Sequence, residues 1–384
     1  MNKLTHGFLA LLFACTSIAT KAEQTPILSN EAEISLLTCS PGEELYSLFG
    51  HSAMRVRDPQ LGIDVVFNYG TFSFDEDFYF NFTMGRLNYR LSAYPMANFM
   101  VEYQVDKRGV IEQTLNLDSV QKQGVLNFLN WNLQPENRYY LYDFFYDNCS
   151  SVLRDVLDTA LNHKVQWADL TENNHPSYRN IIDRYLIYHP WGDFGIDLGL
   201  GLPCDKQPNH LEYMFLPDKL LEAYDHATLD GKPLVSQKRE LLQAHGLKAS
   251  WSIFNPVPLF WLLFGIIAVV SSIGIRKNKL FIGVDALILF VYGIVGALIF
   301  FLWFISDHNA THGNLNILWA WPTHLFALFM LWHKAFRGWY FRLFGIVALI
   351  TLLAFPFLPQ DLHVATIPLI LVVMVRSFTH WKLS

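Results

Sequence analysis

The sequence predicts an α+β extracytoplasmic domain followed by an all-α membrane bundle of about five helices. Three observations predict it: a short apolar leader, a hairpin-then-helix order over residues 23–255, and long apolar runs from Pro256 onward. Of the 384 residues 52% are hydrophobic, too many for an ordinary soluble chain of this length.

The leader MNKLTHGFLALLFACTSIATKA carries one early lysine, an apolar run from Phe8 to Cys15 and small residues before Glu23. That is the pattern of a secretory signal spanning residues 1–22 and cleaved after Ala22. A rival reading takes Leu12-Phe-Ala-Cys15 as a lipoprotein cleavage site with Cys15 lipidated, although Phe13 fits it poorly. After cleavage three of the four cysteines remain, Cys39, Cys149 and Cys204. In an oxidising compartment an odd set suggests one disulfide, with Cys39–Cys204 the natural pair and Cys149 left over; three separate thiols are the alternative.

His51-Ser-Ala-Met-Arg-Val56 and Ile63-Asp-Val-Val-Phe-Asn68 read as strands joined by a turn around Asp58–Gly62. With Pro59-Gln60 as a two-residue loop, Asp58 faces Leu61 and His51 faces Asn68; a slip of one residue puts Tyr69 opposite His51 instead. Gly50, beside the histidine, permits close backbone approach. Aromatic residues then crowd the segment Phe72 to Phe82 and recur at Tyr89, Tyr94, Phe99 and Tyr103. They suit an acyl groove or the lipid headgroup layer, or, more commonly at this density, a core packed on a sheet. Arg55, Arg57, Arg86 and Arg90 suit lipid phosphate or, more commonly, surface ion pairs. Residues 116–133 read as an amphipathic helix packed on the sheet.

In FYDNCSSVLRDVL, residues 145–157, Asp147 and Asn148 are good N-cap residues, and Val152, Leu153, Val156 and Leu157 recur at helical spacing. A helix therefore starts at or beside Cys149 and sets the sulfur at the positive end of a helix dipole, which favours thiolate. A small buried residue packing the first turn is the plainer explanation. As a nucleophile Cys149 needs a base and the base an orienting partner. His51 is the candidate base, with Asn68 as third member by preference and Tyr69 as fallback; a structural strand histidine is the alternative. The other exported histidines, His163, His175, His189, His210 and His226, lie in polar or loop-like surroundings. Helix geometry suggests that the Cys149 backbone N–H, helped by a neighbour such as Asn148, holds a tetrahedral oxyanion. The glycines of Trp191–Cys204 shape turns rather than cradle phosphate.

Apolar runs near 257–275, 280–305, 315–332, 340–357 and 362–375 each approach the roughly 17–25 residues that cross a bilayer. Arg276–Lys279, His333–Arg337 with Arg342, and Arg376–Lys382 hold the basic residues, whereas 306–314 and 359–363 hold no lysine or arginine. By the positive-inside rule the basic loops are cytoplasmic and residues 23–255 lie outside the cytoplasm. Asp285 falls within a span, where an ionisable group invites a functional role. Asp307, His308, His312, Asn314, Asn316, Trp321 and His324 gather around an external loop. Four of them, His308, His312, Asn314 and Asn316, are candidates for holding substrate beneath the exported domain.

No HExxH, CxxC, GxSxG, Walker or dinucleotide-binding pattern occurs, so neither a metal nor another cofactor is expected. A net charge of −6 argues against nucleic acid.

A strand histidine in GHSAMRV followed about a hundred residues later by a cysteine in DNCSS resembles the circularly permuted NlpC/P60 (papain-like) group, which includes lecithin:retinol acyltransferase-like enzymes. More closely, LLTCSPGEELYSLFGHSAMRV, VVFNYGTFSF, YDFFYDNCSSVLRD, FGIDLGLGLPCD and MFLPDKLLEAY, with the polytopic C-terminus, look like the DUF4105 family, the Lnb-type lipoprotein N-acyltransferases of Bacteroidota. The resemblance implies transfer of a fatty acyl chain from a membrane phospholipid to the amine of diacylglyceryl-cysteine lipoproteins. Cys149 is then the nucleophile and His51 the base, without a cofactor, at the bacterial inner membrane with the catalytic domain in the periplasm. The implied partners are membrane phospholipids, lipoprotein substrates and the bilayer. Competing readings are a cell-wall cysteine peptidase or amidase, a phospholipase, and a non-catalytic membrane sensor or assembly factor.

Overall fold

The alternation of strand residues builds an antiparallel sheet with a different helix layer on each face. The protein, represented by a computed structural model, is described over residues 25–72, 76–244, 246 and 252–383. The leader 1–22, with Cys15, and residues 73–75 of the aromatic tract lie outside these. Strands β1 (Glu33–Cys39), β2 (His51–Asp58), β3 (Ile63–Thr71), β4 (Asn88–Pro95), β5 (Val110–Leu115), β6 (Tyr139–Leu141) and β10 (Val235–Leu242) form one sheet in the order β10-β5-β1-β2-β3-β4-β6. Strands β7 (Val165–Gln166), β8 (Thr228–Leu229) and β9 (Lys232–Pro233) make a second, small one.

The exported half also holds α1 (Phe78–Met84), α2 (Met96–Val105), α3 (Ser119–Leu133), α4 (Cys149–Ala160), α5 (Tyr178–Leu186), α6 (Pro190–Gly199) and α7 (Pro217–His226). On one sheet face Ile34, Leu36, Met54, Val56 and Phe67 pack with Val125 and Leu129 of α3 and Leu153 and Leu157 of α4. On the other, Leu37, Cys39, Ala53 and Val66 pack with Met96, Phe99 and Tyr103 of α2. Burial of each large apolar side chain is worth about 1.5–3 kcal/mol, so the alternation commits every strand to one face assignment.

The hairpin register differs from the expected one. Asp58 pairs with Ile63 and Met54 with Phe67, so the loop is Pro59–Gly62. The cause is the Asp58 carboxylate, which turns back on its own loop: Oδ1 accepts the N–H groups of Gln60 at 3.0 Å and Leu61 at 3.3 Å. The slip is two residues, so side-chain parity survives and Asn68 stays on the face of His51. The one-residue alternative fails: Tyr69 points into the opposite core, 1% exposed, its hydroxyl donating to Asn132 Oδ1.

The C-terminal part contains α8 (Pro256–Arg276), α9 (Ile282–Phe304), α10 (His324–Met330), α11 (Lys334–Ala354) and α12 (Thr366–Leu383). Three helices, Pro256–Arg276, Ile282–Phe304 and Lys334–Phe357, are long and apolar enough to cross a membrane. The run expected as a span over 315–332 is not one continuous helix: it holds a 3-10 turn, Leu315–Leu318, and the seven-residue α10. Pro322 lacks the N–H a continuous helix needs, and Asn314 Oδ1 accepts the N–H of Asn316, turning the chain before it. The run expected over 362–375 begins at Thr366 and continues past Val375 to Leu383. It passes two polar groups because they are paired: Arg376 Nε meets Asp285 Oδ1 at 2.7 Å, Arg376 Nη1 meets Ser271 Oγ at 2.9 Å, and His380 Nε2 meets Asp285 Oδ2 at 3.0 Å. Asp285 therefore ties α9 to α12, and Arg376 ties α12 on to α8.

The two loops poor in basic residues are those that dock on the exported half. Asn314 Nδ2 donates to the carbonyls of Leu198 and Gly199, Gln360 Nε2 to Leu200, and the Asp361 N–H to Asp205 Oδ1. This agrees with the orientation read from the basic loops.

Candidate active site

Cys149 is the first residue of α4. Asn148, in extended conformation and 4% exposed, caps the helix: its Oδ1 accepts the N–H groups of Ser150 at 2.7 Å and Ser151 at 3.0 Å, and Ser151 Oγ accepts its N–H at 2.9 Å. Its Nδ2 donates to the carbonyls of Phe144 at 2.6 Å and Phe215 at 2.8 Å. The expectation that Asn148 supports an oxyanion is thereby corrected, since its amide is fully spent on the fold. Asn148 Oδ1 takes the N–H groups of the second and third helical residues, which directs the remaining first-turn donor, that of Cys149, to the positive end of the helix.

The thiol meets the start of β2. Ser150 and Ser52, both fully buried, bring their hydroxyls to 3.1 Å of each other and fix α4 on β2. The His51 imidazole and the Ser52 backbone N–H lie near enough to the Cys149 sulfur to stabilise its thiolate. Gly50 turns the chain into this position with φ +79°, where a Cβ would lie 2.6 Å from the Cys39 carbonyl oxygen. On its far side His51 Nε2 donates to Asn68 Oδ1 at 2.6 Å, and Asn68 Nδ2 donates to the Tyr94 hydroxyl at 2.6 Å. Gly70 of β3, at φ +93°, lies beside this ring: a Cβ there would be 3.9 Å from His51 Cε1.

The electrostatics follow from these contacts. Burial by itself raises the Cys149 pKa, but the His51 charge, the His51 hydrogen bond and the Ser52 N–H outweigh it, and the thiol is held below its ordinary range. Burial by itself lowers the His51 pKa, yet the adjacent sulfur and Asn68 raise it above its ordinary value. Both shifts favour a thiolate–imidazolium pair.

The other two described cysteines contrast with this one. All three are free, so the Cys39–Cys204 pairing is corrected. Cys39 lies under α2 near Tyr103, while Cys204 lies in the separate cluster around α5 and donates to the Ala310 carbonyl at 3.4 Å. Burial pushes both thiols up to about 12.

Elsewhere the sequence candidates have structural partners. Asn314 and Asn316 are 0% and 1% exposed; Asn314 is spent on α6 carbonyls, and Asn316 bonds the Asp197 carbonyl and the Trp319 indole. His312 lends its carbonyl to the Leu202 N–H, and His308 Nε2 donates to the Phe82 carbonyl at 3.1 Å. These contacts brace the external loop against the exported half, and the buried amides of Asn314 and Asn316, already spent, correct the reading of those two as a substrate surface. Arg55 pairs with Asp64 and Glu112, Arg57 with Glu33, and Arg86 with Asp307. Among the described residues one group, Asp193, Asp197 and His363, brings three ligand-type atoms within 4.8 Å, but Asp197 is already held by Arg179 at 2.6 Å and Asp193 by His363 at 3.2 Å.

Sequence reasoning missed Tyr94, Gly70 and the Ser52–Ser150 contact. Tyr94 lies on β4, and only the pairing of β4 with β3 brings it to Asn68. The serine in GHSAM and the first serine of CSS were visible beside the two catalytic candidates, and their shared spacing to histidine and cysteine was the available signal.

Residues 21–184 match the family model described as the Lnb N-terminal periplasmic domain, and residues 248–384 match the Lnb transmembrane domain. The molecule is thus a membrane protein with a periplasmic N-terminal domain. No curated protein and no solved structure matches the chain.

Proposed function

Since the chain carries both domains of the Lnb family and so belongs to that family, we propose that it is a lipoprotein N-acyltransferase of the bacterial inner membrane. It takes a fatty acyl chain from a phospholipid and delivers it to the N-terminal amine of diacylglyceryl-cysteine lipoproteins. The observation that carries the proposal is the Cys149–His51–Asn68 alignment, with a lowered thiol and a raised imidazole at a helix N-terminus. The same constellation serves papain-like enzymes, and we assign the periplasmic domain to the permuted NlpC/P60 type on that ground.

In the first half-reaction the Cys149 thiolate attacks the ester carbonyl carbon of the phospholipid. The Cys149 backbone N–H faces the developing oxyanion. As the intermediate collapses, the C–O bond breaks and His51 gives its proton to the lysophospholipid oxygen, leaving a thioester on sulfur and a neutral imidazole. In the second, the neutral amine of the lipoprotein attacks the thioester carbon and His51 takes a proton from the nitrogen. The C–S bond then breaks, restoring thiolate and imidazolium and releasing an amide. Asn68, holding Nε2–H, aims the other ring nitrogen at sulfur throughout. An amide is far more stable than a thioester, so the transfer runs forward without nucleotide.

Both substrates are membrane-borne, which supports acyl transfer over cleavage of a soluble cell-wall peptide: tethering the site to spans raises the effective concentration of lipid. The deciding experiment expresses wild type, Cys149→Ser and His51→Ala in a host depleted of its own lipoprotein N-acyltransferase. Mass spectrometry then reads the N-terminal peptide of a reporter lipoprotein. A third acyl chain with wild type and with neither variant is expected. Its absence from well-expressed, membrane-inserted wild type overturns the assignment, and release of free fatty acid instead identifies a phospholipase.

A further inference from the structure

The short helix α1 buries none of its own residues, although it is built from FYFNFTM. Tyr79, Phe80 and Phe82 are 74%, 62% and 49% exposed. A water-soluble domain gains nothing from such a helix, because the exposed rings cost hydration without return. Its position on the chain fold gives the reason. The N–H of Asp307, three residues past the end of α9, donates to the Met84 carbonyl at 2.7 Å, and Arg86 pairs with Asp307 at 2.8 Å. Gly85 ends α1 at φ +80°, and a Cβ there would stand 2.7 Å from the His308 backbone nitrogen. The end of α1 is therefore locked directly onto the periplasmic end of α9. Phe304 and Ile305, at that end, are themselves 58% and 51% exposed.

From α1 the rings continue inward. Phe78 stacks on Phe72 at 5.3 Å, Phe72 on Tyr89 at 5.0 Å, and Tyr89 on Tyr142 at 4.5 Å. Tyr142 lies on the segment that passes through the Asp143–Asp147 bridge to Cys149 at the start of α4. An aromatic ladder thus runs from α1 to the segment that leads to Cys149.

We infer that α1 lies in the outer-leaflet interface, with Tyr79 and Phe80 among the lipids, and that the ladder Phe78–Phe72–Tyr89–Tyr142 guides one acyl chain of a bilayer phospholipid to Cys149. The inference rests on the acyl-transfer reading for its second half. The occupant is a phospholipid acyl chain rather than a protein, because the helix is fixed to the end of a span and ring-rich helices at that depth anchor in headgroups.

Two measurements test it. In full-length protein carrying Cys149→Ser and reconstituted in phosphatidylethanolamine–phosphatidylglycerol vesicles, Tyr79→Cys, Phe80→Cys and, as a control, Val120→Cys are spin-labelled. Val120 is 81% exposed on α3. Labels at 79 and 80 should relax with oxygen and be shielded from a water-soluble nickel chelate, while the label at 120 shows the reverse. Equal chelate access at all three positions overturns the inference. This reading needs no turnover, so it stands or falls separately from the enzymatic assignment.

The second compares acylation of Cys149 by a long-chain phospholipid and by a short-chain soluble ester, for wild type and for Phe72→Ser with Phe78→Ser. The long-to-short rate ratio should fall about tenfold, the loss of roughly one ring's apolar contact with the chain. An unchanged ratio in a variant that still inserts overturns the guiding role. If wild type forms no thioester with any donor while the labels at 79 and 80 are lipid-shielded, the enzymatic assignment and the guiding role both fall, and only the placement of α1 survives.

Discussion

Asn68 accepts a 2.6 Å hydrogen bond from His51 Nε2 at the open end of the β2–β3 hairpin, beyond the last backbone pair, Met54 with Phe67. The bond links the first residue of β2 to β3, with Gly70, at φ +93°, beside the imidazole. Asn68 is held from behind by Tyr94, so the imidazole is aimed by a chain of two side chains. Asn68→Ala should lower kcat for Cys149 acylation by about 10- to 100-fold with little change in KM, the usual scale for losing the group that orients a catalytic base or ligand. Tyr94→Phe, which removes only the outer bond, should cost less than Asn68→Ala. Equal losses for the two would mean that Tyr94 touches substrate.

The opposed shifts of Cys149 and His51 set the pH dependence of the proposed reaction. Thiolate is present above the lowered Cys149 pKa and imidazolium below the raised His51 pKa. The rate of Cys149 acylation should therefore form a plateau between the two, falling on the acid side as sulfur is protonated and on the alkaline side as His51 loses the proton it gives the leaving group. Asn68 contributes to the rise at His51, so Asn68→Ala should draw the alkaline limb to lower pH. A profile in which that limb stays in place contradicts the role given to Asn68.

The same electrostatics sort the cysteines by reactivity. Cys39 and Cys204 are buried thiols pushed up to about 12, whereas Cys149 is partly exposed and lowered. Iodoacetamide at neutral pH should label Cys149 in the folded protein and reach Cys39 and Cys204 only after denaturation, as peptide mass mapping will show. His51→Ala should slow labelling of Cys149 by raising its pKa. A Cys39–Cys204 disulfide in non-reduced protein would contradict the separation of the two clusters.

The site was legible where a local rule governed it. Asn148 before Cys149 and the apolar spacing Leu153, Val156, Leu157 announce both the cap and the buried helix face. Alternation placed Asn68 on the face of His51 even though the loop length was misread, because a two-residue slip preserves parity where a one-residue slip does not. What remained hidden depended on contacts distant in sequence. Nothing near Asn148 shows that its amide nitrogen will be claimed by Phe215, sixty-seven residues on. Hydropathy likewise marked 315–332 as one continuous run, but apolar content does not show that its helix is interrupted at Pro322, between the 3-10 turn Leu315–Leu318 and α10.

Asn148 offers the sharpest separation of structure from chemistry. Its Oδ1 caps two N–H groups of α4 and its Nδ2 satisfies two carbonyls, all nearly shielded from water. Asn148→Ala removes the cap and orphans those carbonyls, at a cost of about 3 kcal/mol together. Asn148→Asp keeps the capping oxygen but turns a second oxygen toward the carbonyls of Phe144 and Phe215 and brings negative charge near the Cys149 sulfur. The alanine variant should unfold at lower temperature in detergent, yet alkylate at Cys149 at a near-normal rate while folded, since the His51 contacts are untouched. The aspartate variant should both lose stability and alkylate more slowly at neutral pH, because the added charge raises the thiol pKa. Were the alanine variant fully stable but unable to acylate Cys149, Asn148 would have to act on the reacting atoms themselves.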